Sequence, residues 1–318
     1  MLALTGAGGF IGRNLAPLLA ARGGDLLAVE LPERLDAAAA ATAQRADCIA
    51  AGAFLARLGA GHFDHLEAIV HLGARTDTTD PDDAGVLDGN YRYAAALMDA
   101  ALARGIRFLY ASSAAVYGNA PADLPAAARE APLNVYGFSK WLLDRHARRR
   151  LADPPAQLAG VRPFNVYGPF EAAKGRMASM VHQLADQLDS DGRVRLFGAG
   201  EGCAAGEQRR DFIHVDDLCA VLLWLLERPG VSGLFDAGSG RSRSFNELAR
   251  RLLDARGGGH VDYLPFPDAL RGRYQIATLA DLAPLRAAGF DRPLLSLEQG
   301  LRRYLAWRDA PTGVAAVA

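Results

Sequence analysis

A glycine-rich turn near the start of the chain constrains the fold more than any other feature of the sequence. The turn reads TGAGGFIG and places Gly6, Gly9 and Gly12 three residues apart. A short apolar run over 2–5 precedes it and predicts a strand, and the pattern over 10–22 predicts a helix. Gly6 permits a tight turn, Gly9 lets the backbone approach a pyrophosphate, and Gly12 lets the helix pack closely on the sheet. The helix start offers free N–H groups to phosphates, so the turn predicts dinucleotide binding.

Further apolar segments alternate with helical patterns through the first half of the chain. Strands are predicted at 25–30, 67–71, 106–111 and 157–161, and helices at 88–104 and 135–151. Strands that are apolar on both faces, with helices between them, are typical of a parallel sheet covered on both sides. The sequence therefore predicts an α/β fold with a Rossmann-type doubly wound parallel sheet.

The alternation weakens after Pro163, although a helix at 216–227 and a returning strand at 233–237 are still visible. We predict an NAD(P)-binding Rossmann domain and a smaller C-terminal substrate-binding domain. The first is expected to comprise residues 1–168 plus about 211–240, the second 169–210 plus 241–310, and 311–318 a tail. The alanine-rich stretch 37–43 fits either a helix or a loop.

Charge and cysteine content narrow the range of partners. The chain has 35 basic and 36 acidic residues, so no basic excess attracts nucleic acid or an anionic membrane. Its three cysteines lie far apart, which suggests neither a zinc site nor a disulfide framework. No basic leader precedes the first strand, and the longest apolar run, 218–226, is shorter than the roughly 20 residues that a membrane-spanning helix needs. We expect a cytoplasmic protein without a metal, a nucleic-acid partner or a membrane partner.

Ser113, Tyr136 and Lys140 form a candidate catalytic set. Ser113 follows the strand at 106–111, and the other two lie four residues apart on one helical face. A tyrosine is a weak base at neutral pH, and a nearby ammonium group lowers its pKa. We expect Tyr136 to take a hydroxyl proton while hydride leaves the carbon, Lys140 to stabilise the phenolate and bind the nicotinamide ribose, and Ser113 to hold the substrate oxygen. The alternative for Tyr136 and Lys140 is an ordinary surface pair.

Lysine is scarce in this chain, and its two positions are informative. Of the 35 basic residues only Lys140 and Lys174 are lysines. Arginine cannot release its proton in a protein, whereas lysine can act as an acid or base. If a carbon were inverted through a planar ketone, a second acid/base would be needed, because hydride returns to the opposite face. We therefore expect Lys174 to serve one face and Tyr136 the other; the alternative is a loop lysine without a role.

Longer segments resemble the ADP-L-glycero-D-manno-heptose 6-epimerase family of extended short-chain dehydrogenases, and the likeness covers nearly the whole chain. The matching segments are YASSAAVYG (110–118), PLNVYGFSK (132–140), FNVYGP (164–169), KGRMAS (174–179), YLPFPDALRGRYQ (263–275) and LRAAGF (285–290). The resemblance implies inversion of C6 in ADP-D-glycero-D-manno-heptose with a bound nicotinamide cofactor, for lipopolysaccharide core synthesis, by a homopentamer. It also implies that Tyr136 and Lys174 are the paired acid/bases.

The resemblance implies two sets of binding residues. The expected cofactor contacts are Gly6, Gly9, Phe10, Ile11, Gly12, Glu30, Leu72, Gly73, Ala74, Asn90, Lys140 and Val166. The expected substrate contacts are Ser113, Asn165, Arg176, Gln183, Phe197, Arg210 and Tyr274, with His182 as an alternative to Gln183. An arginine fork suits a diphosphate, which favours Arg210 on physical grounds as well. The alternative for Arg210 is an ion pair with Asp211 or Asp216.

The choice between NADP and NAD stays open in the sequence. The family leads us to expect NADP, but its usual lysines after the second strand are missing here, and Glu30 would repel a 2′-phosphate. Arg34 or Arg45 is a possible substitute for those lysines. Leu72 and Gly89 also replace polar residues that the family usually has near the cofactor.

Two rival interpretations remain at this point. One is another sugar-nucleotide enzyme, either a UDP-hexose 4-epimerase or a 4,6-dehydratase. A dehydratase would need an acid and a base after the strand-end hydroxyl, where this chain has Ala114 and Ala115. The other is a non-catalytic NAD(P)-sensing protein, which would commonly lack the tyrosine or lysine that is present here.

Overall fold

The computed structural model describes residues 1–42, 46–120, 129–272 and 274–310. Its strands are β1 (Leu2–Thr5), β2 (Leu26–Glu30), β3 (Asp47–Ala50), β4 (Ala68–His71), β5 (Arg107–Ala111), β6 (Leu158–Pro163), β7 (Asn165–Tyr167), β8 (Arg193–Phe197), β9 (Arg209–His214), β10 (Gly233–Ala237), β11 (Ser242–Ser244) and β12 (His260–Leu264). Its α-helices are α1 (Phe10–Ala20), α2 (Leu35–Ala41), α3 (Ala51–Gly59), α4 (Asp83–Leu87), α5 (Ala94–Leu102), α6 (Val135–Arg150), α7 (Met180–Asp191), α8 (Val215–Leu226), α9 (Phe245–Arg256), α10 (Ala283–Ala287) and α11 (Leu297–Asp309).

The described residues form one large parallel sheet with the strand order β10-β6-β5-β4-β1-β2-β3. The chain runs outward from β1 in one direction through β2 and β3, and then in the other through β4, β5 and β6. The order reverses between β1 and β4, where Thr5 is paired in register with His71. A crevice beyond the carboxyl ends of two such strands is where ligands bind in open α/β sheets. The predicted α/β, Rossmann-type doubly wound fold is confirmed.

The sheet is buried because helices cover both of its faces. On one side α1 and α8 pack Leu15 and Leu222 into a cluster with the sheet. On the other side α3, α5 and α6 contribute Phe54, Met98 and Leu143 to a second cluster. Strands enclosed in this way read as continuous apolar runs, which is why the sequence pattern predicts them well.

The remaining strands build a smaller part of the molecule. A three-stranded sheet has the order β11-β9-β7, and β12 pairs with β8 in a two-stranded parallel sheet. A third apolar cluster joins α7, α9 and α11 through Val181, Leu248 and Leu301. The division of the chain into cofactor-binding and substrate-binding parts stays a prediction.

Several predicted boundaries needed correction. The helix predicted at 88–104 is a π-helix over Asp88–Tyr93 followed by α5. The sequence analysis assigned neither β3 nor α3. The undecided stretch 37–43 is helical through Ala41, whereas residue 43, Arg45 and the predicted tail 311–318 lie outside the described residues. Within the described part of the chain, the helices are all too short or too polar to cross a membrane.

Candidate active site

The glycine turn is closed so tightly that two of its positions exclude any side chain. Gly6 has a φ of +71°, and a Cβ there would lie 2.7 Å from the backbone nitrogen of Gly73. A Cβ on Gly12 would lie 2.1 Å from the carbonyl oxygen of Gly6. Helix α1 begins after Gly9 without a side-chain cap and without an acidic residue in its first turn. Its first N–H groups, at Phe10, Ile11 and Gly12, are therefore suited to an anion.

Glu30 supports the glycine turn from the end of β2. Its buried carboxylate accepts hydrogen bonds from the backbone N–H groups of Gly8 and Leu31, each at 3.0 Å. The exposed Arg34 donates to the carbonyl oxygen of Gly8 at 3.0 Å. An acidic and a basic side chain thus meet at the end of β2, where Rossmann folds bind the adenosine ribose. Because each carboxylate oxygen has a second lone pair, Glu30 keeps capacity for a ribose hydroxyl.

The loop after β4 is fixed from below by buried polar groups. Thr5 Oγ1 accepts the N–H of Gly73 at 3.1 Å and bonds His71 Nδ1 at 2.7 Å. Asn90 is fully buried and exchanges two 2.8 Å hydrogen bonds with the backbone of Arg75. These contacts present Leu72, Gly73 and Ala74, all partly exposed, beside the glycine turn. Asn90 therefore holds this loop in place, and its direct contact with a cofactor stays a prediction.

Tyr136, Lys140 and Ser113 meet at the carboxyl edge of the sheet. Helix α6 begins at Val135 because Asn134 caps it by accepting the N–H of Gly137. Burial raises the pKa of Tyr136, and a hydrogen bond with the Ser113 hydroxyl acts in the opposite direction. Lys140 is buried and donates to the carbonyl oxygen of Ala111 at 2.8 Å.

A buried acid one helical turn beyond Lys140 was missed in the sequence. Burial lowers the pKa of Lys140 to about 8, and the charge of Asp144 opposes this change. Asp144 accepts hydrogen bonds from Tyr110 at 2.9 Å and from Arg162 at 2.7 Å. Arg162 in turn bonds Glu130 and Tyr117. An apolar helix face interrupted by Asp144, one turn after Lys140, is the signal that could have revealed it.

Lys174 lies in a segment that docks on the start of α1. Its ammonium group is 5.7 Å from the centre of the Phe10 ring. Burial lowers the pKa of Lys174, while the charge of Glu171 raises it. Asn14 of α1 donates to the carbonyl oxygen of Pro169 at 2.9 Å, which ties the same segment to the helix. Lys174 is therefore a partly buried amine beside the glycine turn.

A buried guanidinium group occupies the expected substrate side. Arg210 lies 5.0 Å from the Tyr274 ring and donates to the carbonyl oxygens of Arg209 and Ile276. Among the described residues no carboxylate pairs with it, and burial lowers its pKa. The Phe197 ring packs against Tyr274 at 5.9 Å. An unneutralised cation next to aromatic rings is suited to a nucleoside diphosphate.

The ion pairs considered for Arg210 are wrong, because both candidate acids have other partners. Asp211 accepts the backbone N–H groups of Ser239, Gly240 and Ala280. Asp216 pairs with Arg303 at 2.8 Å.

The side chains of the other predicted substrate residues make hydrogen bonds or ion pairs with the protein itself. Exposed Arg176 forms an ion pair at 2.6 Å with Asp77, which lies in the loop after β4. Gln183 donates to the carbonyl oxygens of Arg176 and Ala178. Asn165 bonds Thr278 at 3.2 Å. His182, the alternative to Gln183, bonds Tyr304 at 2.7 Å. Partly buried Val166, predicted to contact cofactor, packs in the core cluster of Phe10 and Ile11.

A comparison with protein families decides the class of this site. The family described as NAD dependent epimerase/dehydratase matches residues 2–237. The chain belongs to the NAD dependent epimerase/dehydratase family. Membership confirms the prediction of an isomerase of the extended short-chain dehydrogenase type that uses a nicotinamide cofactor and a small sugar-nucleotide substrate.

Solved structures extend the comparison. An ADP-L-glycero-D-manno-heptose-6-epimerase from Helicobacter pylori is 30% identical over 98% of this chain and 96% of that one, with a TM-score of 0.82. A NAD dependent NDP-hexosamine 5,6-dehydratase involved in tunicamycin biosynthesis is 25% identical over 96% of this chain and 97% of its own, with a TM-score of 0.78. A UDP-N-acetylglucosamine 4-epimerase from Methanobrevibacter ruminantium is 20% identical over 96% and 97% with a TM-score of 0.84, and shares the fold.

Proposed function

We propose that this enzyme inverts C6 of ADP-D-glycero-D-manno-heptose by transient oxidation to a ketone and reduction on the opposite face. The observation that carries the proposal is the position of Lys174 over Phe10, at the start of α1. Helix α1 follows the carboxyl end of β1, and Ser113 follows the carboxyl end of the parallel strand β5. Both features therefore lie at one sheet edge, which gives it a second amine in addition to Lys140.

The residues at the glycine turn fit a nicotinamide dinucleotide. A Cβ at Gly6 or Gly12 would strike backbone atoms, so only glycine at these positions lets the turn close and the start of α1 pack against it, as in dinucleotide-binding turns. The N–H groups of Phe10, Ile11 and Gly12 would hold the phosphates, and Lys140 the nicotinamide ribose. When bound, the nicotinamide accepts hydride from the sugar carbon and returns it.

The protein contributes proton transfer and orientation. Tyr136 takes the proton of the substrate hydroxyl when hydride leaves, and the Lys174 ammonium group donates a proton to the ketone oxygen when hydride returns on the other face. Ser113 holds the substrate oxygen, and the charge of Lys140 favours the Tyr136 phenolate. Two acid/bases explain inversion, because each face of the ketone has its own proton donor. Arg210, with Tyr274 and Phe197, binds the diphosphate and nucleoside of the substrate.

We propose NADP as the cofactor, with Arg34 as its 2′-phosphate ligand. Arg34 reaches the glycine turn through its bond to the Gly8 carbonyl and is exposed. The opposing consideration is Glu30, whose carboxylate is bonded to backbone N–H groups in the same place. A carboxylate at this position would repel a 2′-phosphate, so NAD stays the competitor. By the same resemblance we propose a cytoplasmic homopentamer that supplies lipopolysaccharide heptose.

The test uses the full-length protein as purified. Incubation with ADP-D-glycero-D-manno-heptose should give its C6 epimer by proton NMR, without added nucleotide. Conversion of UDP-glucose to UDP-galactose instead would assign a hexose 4-epimerase, and loss of water from the sugar would assign a dehydratase. If no sugar nucleotide alters the absorbance of the bound nicotinamide, the protein is a sensor and the proposal fails. Mass spectrometry of the copurified nucleotide decides between NADP and NAD.

A further inference from the structure

Glu171 is a buried carboxylate that closes both ends of one loop. It is 1% exposed, and its two oxygens accept the backbone N–H groups of Gly168 at 3.0 Å and Ser179 at 2.8 Å. The loop between those two residues carries Lys174. Ser179 is also the N-cap of α7, so the same carboxylate fixes where the loop ends and the helix begins.

The backbone of this loop needs such support. Phe170 has a φ of +71°, a strained value for a residue with a side chain, and Gly175 has a φ of +53°, which glycine adopts freely. A non-glycine residue with positive φ persists only where its surroundings hold it. The Phe170 ring is held between Arg13, 4.3 Å from its centre, and Trp307 at 5.3 Å. Glu171 supplies the corresponding constraint on the backbone at the base of the loop.

Glu171 and Lys174 are also aligned with each other. Both lie in the part of the 3₁₀ segment Glu171–Met177 that precedes its kink at Gly175, and side chains three residues apart in a 3₁₀ turn lie on the same side. The Lys174 ammonium group also lies 5.7 Å from the centre of the Phe10 ring. An acid on the same side of the turn stabilises the ammonium form of an amine that burial would otherwise discharge.

We propose that Glu171 is a positioning residue for Lys174: its carboxylate closes the loop that presents the lysine and supplies the negative charge that keeps it an ammonium group. The role rests on the proposed function, in which Lys174 is the second acid/base. Loss of the Glu171 charge lowers the pKa of Lys174. As the pH rises, activity that needs the ammonium form is therefore lost at a lower pH than in the wild type. Loss of the closure reduces the inversion rate more than it affects substrate binding.

Other ionisable groups also face Glu171, and they set the limits of the experiment. Burial raises the pKa of Glu171, while its hydrogen bonds to Gly168 and Ser179 and the charge of His182 of α7 act in the opposite direction. The phenols of Tyr167 and Tyr304 face the same carboxylate from β7 and α11, and its charge contributes to their raised pKa values. Because these three groups surround Glu171, the pKa of Lys174 has to be measured at the lysine itself.

The two-lysine composition makes that measurement direct. Lysine labelled with ¹³C at Cε gives one NMR signal for Lys140 and one for Lys174, and Lys174→Arg assigns them. In the full-length holoenzyme, Glu171→Gln is expected to lower the pKa of Lys174 by about one unit, the lower end of the effect of an adjacent opposite charge. Glu227→Gln, which removes an exposed surface acid, is the matched control and should move neither signal. An unchanged Lys174 pKa in folded Glu171→Gln overturns the proposal.

A second variant separates charge from closure and covers the case in which Glu171→Gln does not fold. Glu171→Asp keeps the charge but is one methylene too short to reach both N–H groups. It should leave the Lys174 pKa close to that of the wild type and reduce kcat for inversion at least tenfold, with KM little changed. Wild-type kcat in this variant would remove the positioning role. Because the NMR titration needs no substrate, a wild type that ignores ADP-heptose would refute the proposed function alone.

Discussion

Lys140 and Asp144 lie one turn apart on α6, and both side chains are buried. The ammonium group donates to the Ala111 carbonyl, whereas the carboxylate accepts from Tyr110 and Arg162. Asp144 thus acts on Lys140 through its charge, while its own carboxylate is held by Tyr110 and Arg162. Lys140, the lysine proposed to act on the nicotinamide ribose and Tyr136, is in this way electrostatically connected to a buried salt-bridge cluster.

Asp144→Asn should move the alkaline limb of activity to lower pH. Burial lowers the pKa of Lys140 to about 8 and Asp144 raises it, so the wild type loses its ammonium charge as pH rises through about 8. Without Asp144 that loss begins at lower pH. Breaking the buried pair with Arg162 should also lower the free energy of unfolding by about 3–5 kcal/mol. Rate–pH profiles measure the shift in activity, urea unfolding measures the free energy of unfolding, and exposed Asp254→Asn is the control for both. An alkaline limb of activity at the wild-type pH would contradict the expected effect on Lys140.

Lys174→Arg should abolish inversion and leave cofactor binding intact. Arginine keeps the positive charge but cannot release a proton, so only the acid/base role is lost. The expected loss in kcat is at least 10²-fold, the lower range for a general acid–base group. Copurified nucleotide, measured by mass spectrometry, should be unchanged. Arg241→Lys at an exposed position is the control, and wild-type turnover by Lys174→Arg would exclude the two-base scheme.

Arg210→Lys should raise KM for the sugar nucleotide by about 10- to 100-fold, because lysine lacks the fork that binds two phosphate oxygens. The effect on kcat should be smaller, since Arg210 is remote from the reacting carbon in the proposed arrangement. Arg209→Lys, the adjacent position with an ion pair to Glu247, is the matched control. Equal KM values for the two variants would count against a diphosphate site at Arg210.

Arg34→Ala should reduce affinity for NADP by about 10- to 100-fold relative to NAD, as expected for the loss of a charged hydrogen bond to phosphate. Reconstitution of nucleotide-free protein, followed by fluorescence titration with each nucleotide, provides the ratio. Arg13→Ala is unsuitable as a control because Arg13 contacts Phe170. Exposed Arg241→Ala serves instead, and an unchanged ratio in Arg34→Ala would favour NAD as the resident cofactor.

His71→Gln should make the protein less sensitive to acid. Burial, with a smaller effect of Lys140, lowers the pKa of His71 to about 3. Between about pH 6.5 and about 3 the unfolded chain binds a proton at this position and the folded chain does not, so stability falls as pH falls. From about pH 7.5 to about pH 5 this histidine should account for about 2 kcal/mol of the loss. Urea unfolding at the two pH values measures this loss of unfolding free energy. The control variant His62→Gln, at an exposed position, should show the same loss as the wild type.

The sequence predicts the large sheet because its inner strands are apolar on both faces. β1 and β10 lie at the predicted residues, and β2, β4 and β5 begin one residue later than predicted. β3 escapes prediction because it is an edge strand that starts with exposed Asp47 and Cys48. A hydrophobic period also cannot distinguish an α-helix from the π-helix over Asp88–Tyr93, since both keep one face buried.

The candidate site is predictable only where a short motif carries it. Tyr136 and Lys140 are recognised by their helical spacing, and Gly6 by its place between a strand and a helix. Asp144 and Glu171 are not, because their significance depends on partners distant in the chain or on backbone N–H groups. Arg162 is the partner of Asp144, and the backbone N–H of Gly168 is a partner of Glu171. Only the folded chain shows these contacts.

The hydrogen bond from Asn14 to the Pro169 carbonyl joins α1, the helix that follows the glycine turn, to the loop that carries Lys174. In the proposed function the same helix also binds the phosphates of the nucleotide, so nucleotide and loop share one support. An enzyme that recycles a resident hydride carrier consumes no reducing equivalents. Its flux would then be insensitive to the cellular ratio of oxidised to reduced pyridine nucleotide, and would follow substrate supply alone.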